Sequence, residues 1–275
     1  MSKNLVSLNW LKNHVNDEDL IILDATLPKV GDKDKTLRTD CIPNALKFDL
    51  QGIFVDNNSN LPNTVPQLKD FEREVKKLGI NSTSKIVVYD QHGVYSSPRA
   101  WWLFKLFGHK NVFVLNGGLP EWKKQGLEVN NKHKTPNGLG AFTINYQAHL
   151  FTSKLDILRN IDTEQNIVVD ARSAKRFNAE VDEPREGMRS GHIPKSKNMH
   201  YASLTNGNLL LSKEMLNNKF KDIKSENKSI IYSCGSGITA CILALAGSQV
   251  GLKNFSIYDG SWSEWGSDND LPIEK

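Results

Sequence analysis

Short apolar runs recur along the chain, at residues 20–24, 86–89, 112–115, 167–170, 230–232 and 255–258. They are rich in Ile, Val and Leu and barely alternate with polar residues, the pattern of strands buried on both faces. Between them lie stretches with helical spacing. Leu68, Phe71, Val75 and Leu78 fall on one helical face, with Pro66 at an expected first turn. Met215, Leu216, Phe220 and Ile223 share a face behind Ser212, an expected N-cap. Strand–helix alternation predicts an α/β fold, each part a mostly parallel sheet flanked by helices. Ligands of such sheets bind at the carboxyl ends of the strands, so the loops that follow the apolar runs are where chemistry is expected.

The pattern occurs twice. Tyr89 and Tyr232, Gly108 and Gly251, and Trp122 and Trp265 are each 143 residues apart. Around them, Lys85–Asp90 resembles Ser229–Ser233, and Gly108-His109-Lys110-Asn111-Val112 resembles Gly251-Leu252-Lys253-Asn254-Phe255. Asn116–Trp122 resembles Asp259–Trp265 in the same way. Agreement over about 35 residues marks a tandem duplication. Leu20–Ala25 against Ile167–Ala171, and Cys41-Ile42-Pro43 against His192-Ile193-Pro194, extend the match with small gaps. Two domains are expected, at 1–130 and 142–275, with the polar, aperiodic segment 131–141 as linker.

The 275 residues carry 35 basic and 31 acidic side chains, a net charge of +4 spread along the chain. So small an excess gives no reason to expect a nucleic-acid partner. No apolar stretch approaches the roughly 18 residues of a membrane span, and no apolar core follows Met1–Ser7 as a secretory leader would. No membrane partner is expected. Cys41, Cys234 and Cys241 are odd in number and far apart, without CxxC spacing, which indicates neither a zinc site nor a disulfide framework. A reducing cytoplasmic setting fits best, with no metal and no cofactor.

The most informative run is Ile230–Ala246. A strand is expected to end at Ser233 and a helix to begin near Thr239, with Cys234-Gly235-Ser236-Gly237-Ile238 between them. Gly235 and Gly237 allow positive φ and inward-facing N–H groups. Such a nest at a helix N-terminus favours negative charge at its centre. That suits a nucleophilic sulfur exposed at the loop, and the same cradle would hold the outer sulfur of a persulfide. Cys241, inside an apolar helical stretch, reads as inert packing. In the first half Gln91 is expected to stand where Cys234 stands, so one cysteine site per chain is predicted, and His92 reads as a packing residue. Trp101, Trp102, Trp122, Trp262 and Trp265 read mostly as core and interdomain packing, with Trp262 the candidate to reach the cleft between the halves.

These residues resemble the 3-mercaptopyruvate sulfurtransferase branch of the rhodanese family. The specific pieces are Cys234–Thr239, Tyr258–Trp265, and Glu183-Pro184-Arg185 followed by Gly191-His192-Ile193-Pro194. The resemblance covers nearly the whole chain and implies a ping-pong sulfur transfer through a Cys234 persulfide, with pyruvate released and a thiol or cyanide as acceptor. Thioredoxin is an acceptor by family analogy only. It further implies that Arg176 and Arg185 clamp the donor's carboxylate and keto oxygens, as planar guanidinium forks suit. Ser236 is implied as a catalytic hydroxyl, with Gly235, Gly237, Ile238 and Thr239 completing the donor site. The family's proton relay includes a first-half histidine, expected before the Ile/Val-Pro-Gly turn, where Cys41 stands instead. Cys41 near the site would also be a candidate disulfide partner for Cys234.

Thiosulfate is a dianion, and rhodaneses proper place basic residues in the cysteine loop. Here the two positions after Cys234 are Gly235 and Ser236, which favours a monoanionic keto acid over thiosulfate:cyanide transfer. A cysteine phosphatase needs an arginine six positions after its cysteine to grip phosphate, and that position is Ala240. A non-enzymatic sulfur carrier would also use Cys234.

Overall fold

The computed structural model describes residues 4–31, 39–224 and 228–275. Met1, Ser2 and Lys3 of the leader reading lie outside them. The chain forms two compact units. The first gathers Met1–Asn57, Val65–Gln147 and Asn206–Leu210, and the second Asn58–Thr64, Ala148–Thr205 and Leu211–Lys275.

In the first unit the strands are β1 (Leu5–Val6), β2 (Leu20–Asp24), β3 (Ala45–Lys47), β4 (Lys85–Tyr89) and β5 (Val112–Leu115). They lie in the order β1-β5-β4-β2-β3, every pair parallel. In the second, β6 (Phe151–Thr152), β7 (Asn166–Asp170), β8 (Lys197–Asn198), β11 (Ser229–Ser233) and β12 (Phe255–Tyr258) follow as β6-β12-β11-β7-β8, again all parallel. β9 (Thr205–Asn206) and β10 (Leu209–Leu210) make a separate ribbon. The two sheets therefore have one topology, as the duplication requires, and each apolar run became a strand. The central strands are buried because helices cover them. These are α1 (Leu8–His14), α2 (Leu68–Lys77), α3 (Ser97–Leu106) and α4 (Gly118–Lys124) in the first unit. In the second they are α5 (Lys154–Thr163), α6 (Ala174–Phe177), α7 (Lys213–Phe220), α8 (Ala240–Gln249) and α9 (Ser261–Trp265).

The helical faces hold with local changes. α2 buries Phe71 and Val75, but Leu68 is 46 % exposed and Pro66 precedes the Gln67 N-cap. α7 is capped by the Ser212 hydroxyl, which accepts from the Met215 N–H. Leu216 and Phe220 are buried, whereas Met215 is 52 % exposed and Ile223 packs beyond the helix end. α8 is apolar on every side, so it is a core helix, buried from Ala240 to Gly247. All five tryptophans named above are buried, and Trp262 stacks on the Arg172 guanidinium at 4.3 Å rather than reaching out of the core.

The segment 131–141 is laid along the first unit. Lys134 N–H donates to Ala45 C=O, Gly140 N–H to Lys76 C=O and Ala141 N–H to Asn81 Oδ1, and Phe142 joins the aromatic cluster of Phe71 and Phe104. Those bonds satisfy polar backbone that a free linker would leave to water.

Cys41 is 1 % exposed, in the first unit's core with Leu8, Leu11, Ile42 and Trp122. Its backbone bridges Asn130, as the backbone of His192 bridges Glu274 in the second unit. Burial pushes its thiol up, and Asp24 and Asp40 add to this. It is a packing residue, and neither the relay position nor a disulfide with Cys234 suits a thiol enclosed in that core. All three cysteines are free.

Candidate active site

Cys234 follows the last residue of β11, and Thr239 is the N-cap of α8. The loop between them is held by the turn after β12. Ser261, with φ of 50°, accepts at its Oγ from the N–H groups of Cys234 (3.1 Å) and Gly237 (3.2 Å) and donates to Tyr258 C=O (2.8 Å). Trp262 N–H donates to Cys234 C=O, and Ser263 donates to Gly235 C=O from both its N–H (2.8 Å) and its hydroxyl (2.5 Å). The Asp259–Trp265 motif is thus the clamp on the cysteine loop. Of the two loop glycines, Gly237 takes positive φ (76°) and Gly235 does not. A Cβ on Gly235 would lie 3.3 Å from Arg176 Nη2 and 3.7 Å from Arg185 Nη1. Gly235 lets the Arg176 guanidinium approach the loop closely and is not used for a turn.

Cys234 itself is 1 % exposed. The sulfur lies at the bottom of its loop instead of on the surface, because Ser261 and Trp262 draw the backbone of Cys234 toward the core. Cys241 is one helical turn on, with its Sγ donating to Gly237 C=O at 3.2 Å.

The register of the sheets changes the match between the halves. Tyr89 pairs with Asp24 and Ser233 with Asp170, so β4 and β11 correspond at an offset of 144 residues. α3 and α8 begin at Ser97 and Ala240, at an offset of 143. The first-unit loop is one residue longer, and Asp90, not Gln91, occupies the place of Cys234. Leu119 N–H donates to Asp90 C=O just as Trp262 N–H donates to Cys234 C=O.

Asp90 is fully buried. Its Oδ2 accepts from the N–H groups of Tyr95 (2.9 Å), Ser96 (3.1 Å) and Ser97 (2.9 Å) and from the Ser97 hydroxyl (2.6 Å), and its Oδ1 from His92 N–H (2.9 Å). The first cradle is filled by the chain's own carboxylate. The matching amides of the second unit belong to Ile238, Thr239 and Ala240, and among the described residues none of them has a protein acceptor. His92 bonds Leu27 C=O and packs on Tyr95, a structural role.

Arg176, Arg185 and Ser236 come together at this loop. Arg185 donates to Ser263 Oγ and Ser236 Oγ, each at 3.3 Å. Asn63 Nδ2 donates to Ser236 Oγ at 2.9 Å. Asn63 (φ 60°) lies on the Asn58–Thr64 segment, which belongs to the second unit although 173 residues of chain separate the pair. A polar stretch so remote in sequence carries no periodicity that could have pointed to it. Arg176 is gripped by Glu183, which also binds the buried Arg172 (2.8 Å). Arg172 reaches Asp170 at 2.7 Å. Burial works against the Arg172 charge, but Asp170 and Glu183 outweigh it and hold the guanidinium above its ordinary range. Burial pushes the imidazole of His200 down, and the neighbouring Arg176 pushes it further. The arrangement offers a sulfur nucleophile, three free amides for an anion beside it, and two guanidiniums for an anionic substrate.

The model of the rhodanese-like domain matches residues 7–125 and again 153–268. The 3-mercaptopyruvate sulfurtransferase of Escherichia coli K12 is 36 % identical over 275 residues, covering 98 % of this chain and 97 % of that protein. The mitochondrial thiosulfate/3-mercaptopyruvate sulfurtransferase 1 of Arabidopsis thaliana is 37 % identical, covering 99 % of this chain and 78 % of that one. The crystal structure of SseA from Escherichia coli, described as a 3-mercaptopyruvate sulfotransferase with the rhodanese fold, superposes with a TM-score of 0.84 at 33 % identity, over 94 % of this chain and 98 % of that one. Tum1 of Saccharomyces cerevisiae gives 0.87 at 26 % identity, over 100 % and 99 %. With two matched domains and relatives aligned nearly end to end, the chain belongs to the rhodanese family.

Proposed function

We propose that this chain is a 3-mercaptopyruvate sulfurtransferase in which Cys234 of the second unit is the sulfur carrier and the first unit is non-catalytic. One observation carries this most directly. An aspartate and a cysteine persulfide have the same number of bonds from Cα to the terminal atom, so Asp90 Oδ2 marks where the outer sulfur of a Cys234 persulfide would lie. In the first unit that point receives three amides; in the second the amides of Ile238, Thr239 and Ala240 are left for the persulfide anion.

The Cys234 thiolate attacks the donor's sulfur. A sulfur–sulfur bond forms, the carbon–sulfur bond breaks, and its electron pair passes to the enolate of pyruvate. The proton of the donor's thiol returns to the third carbon, leaving pyruvate and an anionic persulfide. Arg185 and Arg176 bind the carboxylate and keto oxygens, and Ser236, fixed by Asn63 and Arg185, steadies the donor. A thiol acceptor, thioredoxin among the candidates, then attacks the outer sulfur and restores the thiolate. Gly235 supports the choice of donor, because it brings no basic side chain to the loop and the Arg176 guanidinium lies close to where a Cβ would be. Three free cysteines suit a reducing compartment such as the cytoplasm.

The test is to mix the protein with 3-mercaptopyruvate and, separately, with thiosulfate, then follow pyruvate or sulfite release and the mass of the Cys234 peptide. The peptide should gain about 32 Da, and mercaptopyruvate should be used about 10-fold or more faster. No added mass would overturn the proposal, and faster turnover of thiosulfate would overturn its choice of donor. Arg185→Gln should raise KM for mercaptopyruvate by about 10- to 100-fold, the loss of charge-assisted bonds to a carboxylate. Steady-state pyruvate release measures this, and the folded content should be unchanged because, among the described residues, Arg185 bonds two hydroxyls and no carboxylate.

A further inference from the structure

Four charged side chains behind the cysteine loop cancel one another. Asp170 and Glu183 are carboxylates, and Arg172 and Arg176 are the guanidiniums that bind them. The side chains of Arg172 and Glu183 are each 1 % exposed. Arg172 is also fixed by Gly191 C=O (2.8 Å) and by the face of Trp262. Arg176 lies at the outer end, with its Nε donating to Glu183 Oε1 at 3.1 Å and its Nη2 bonded to Oε2. It therefore presents hydrogen-bond donors to the loop while its charge is balanced from behind. Arg185 is different: its guanidinium is bound to Ser263 and Ser236 hydroxyls, and no carboxylate pairs with it among the described residues. Burial and then Arg176 both disfavour a charge on His200. Among the described residues, a donor at Gly235 therefore meets two guanidiniums, of which Arg176 is paired with a carboxylate and Arg185 is not.

Building on the sulfurtransferase function proposed above, we infer that Glu183 is a specificity-determining residue, which sets the cleft's charge to match a monoanionic donor and to disfavour a dianionic one. Cys234 supplies the chemistry; Glu183 selects which anion is brought to it. A monoanion is compensated by Arg185 alone. A dianion would carry a second charge into a partly desolvated site where Glu183 has already consumed the second cation, and an unpaired charge there is costly. Discrimination then comes from a residue that does not touch the donor, with Gly235 and Arg176 supplying only shape and hydrogen bonds.

The experiment measures kcat/KM for thiosulfate and for 3-mercaptopyruvate on the wild type, Glu183→Gln and Arg176→Met. Glu183→Gln uncovers one positive charge, so the thiosulfate-to-mercaptopyruvate ratio should rise by about 10-fold or more, each extra unit of donor charge being felt at close range. Arg176→Met removes one, leaving Glu183 still paired with Arg172, so the same ratio should fall. A Glu183 that only supports Arg176 would lower both donors together in both variants. An unchanged ratio, or movement in one direction in both variants, overturns the inference. Should Glu183→Gln not fold, Arg176→Met decides alone: a fall supports the inference, and no change or a rise overturns it. A wild type that takes sulfur from neither donor would instead overturn the sulfurtransferase proposal itself.

Discussion

Cys234→Ser is expected to reduce sulfur transfer from either donor to background, a loss of at least about 10⁴-fold. A hydroxyl fits the same space, and Ser261, Trp262 and Ser263 hold the backbone of the loop without using the side chain at 234. The fold should therefore survive. What disappears is the chemistry, because an alcohol is a far weaker nucleophile than a thiolate and no persulfide can form on oxygen. Steady-state pyruvate release and the mass of the 234 peptide check this together. Cys41→Ala provides the contrast. Its thiol is enclosed in the first unit's core, so the rate should be unchanged even if stability falls slightly. Residual turnover in Cys234→Ser that vanished when Cys41→Ala was added to it would place a sulfur carrier at Cys41 instead.

Much of this protein was legible in sequence because duplication and burial both leave periodic marks. Apolar runs such as 86–89 and 230–232 must be strands once helices cover both faces of the sheet, and they are. The cysteine and its loop were also readable, since a strand, a short glycine-bearing turn and an apolar helix leave few other places for a nucleophile, whereas the two arginines came only from the family resemblance. What sequence could not give was contact at long separation. Asn63 reaches Ser236, and Ser261 and Ser263 clamp the loop from a turn some way downstream. The Asp259–Trp265 motif was visible, but hydroxyls bonding backbone have no spacing that reveals their partners. The role of Gly235 was also hidden. Its missing side chain matters because of the two guanidiniums nearby, not because of its own backbone angles.

The one-residue difference between the two loops has the largest consequence. Alignment on Tyr89 and Tyr232 sets Gln91 against Cys234, whereas strand register sets Asp90 there. The distinction turns a passive replacement into an active one. Glutamine would leave the amides of the first cradle open, but Asp90 closes them with its own charge, so the first unit has no room for a loaded anion.

Asp90→Ala should therefore destabilise the first unit, by about 3–5 kcal/mol, since several buried N–H groups and a hydroxyl would lose their acceptor at once. Asp90→Asn should cost less. Its amide oxygen can take over some of these bonds, but its NH₂ group cannot accept, and the charge that strengthened them is gone. The order wild type, Asn, Ala should appear in urea midpoints. The amides of Tyr95, Ser96 and Ser97 should exchange with solvent faster in the same order. A cradle that merely tolerated the carboxylate would give the reverse, because removing a fully buried charge would then relieve a desolvation cost and Ala would match or exceed the wild type. The geometry argues against that outcome. Asp90 receives five hydrogen bonds between 2.6 and 3.1 Å, enough donors to replace the water it lost. The amides of Tyr95, Ser96 and Ser97 have their counterparts in those of Ile238, Thr239 and Ala240, which the second unit keeps open for sulfur.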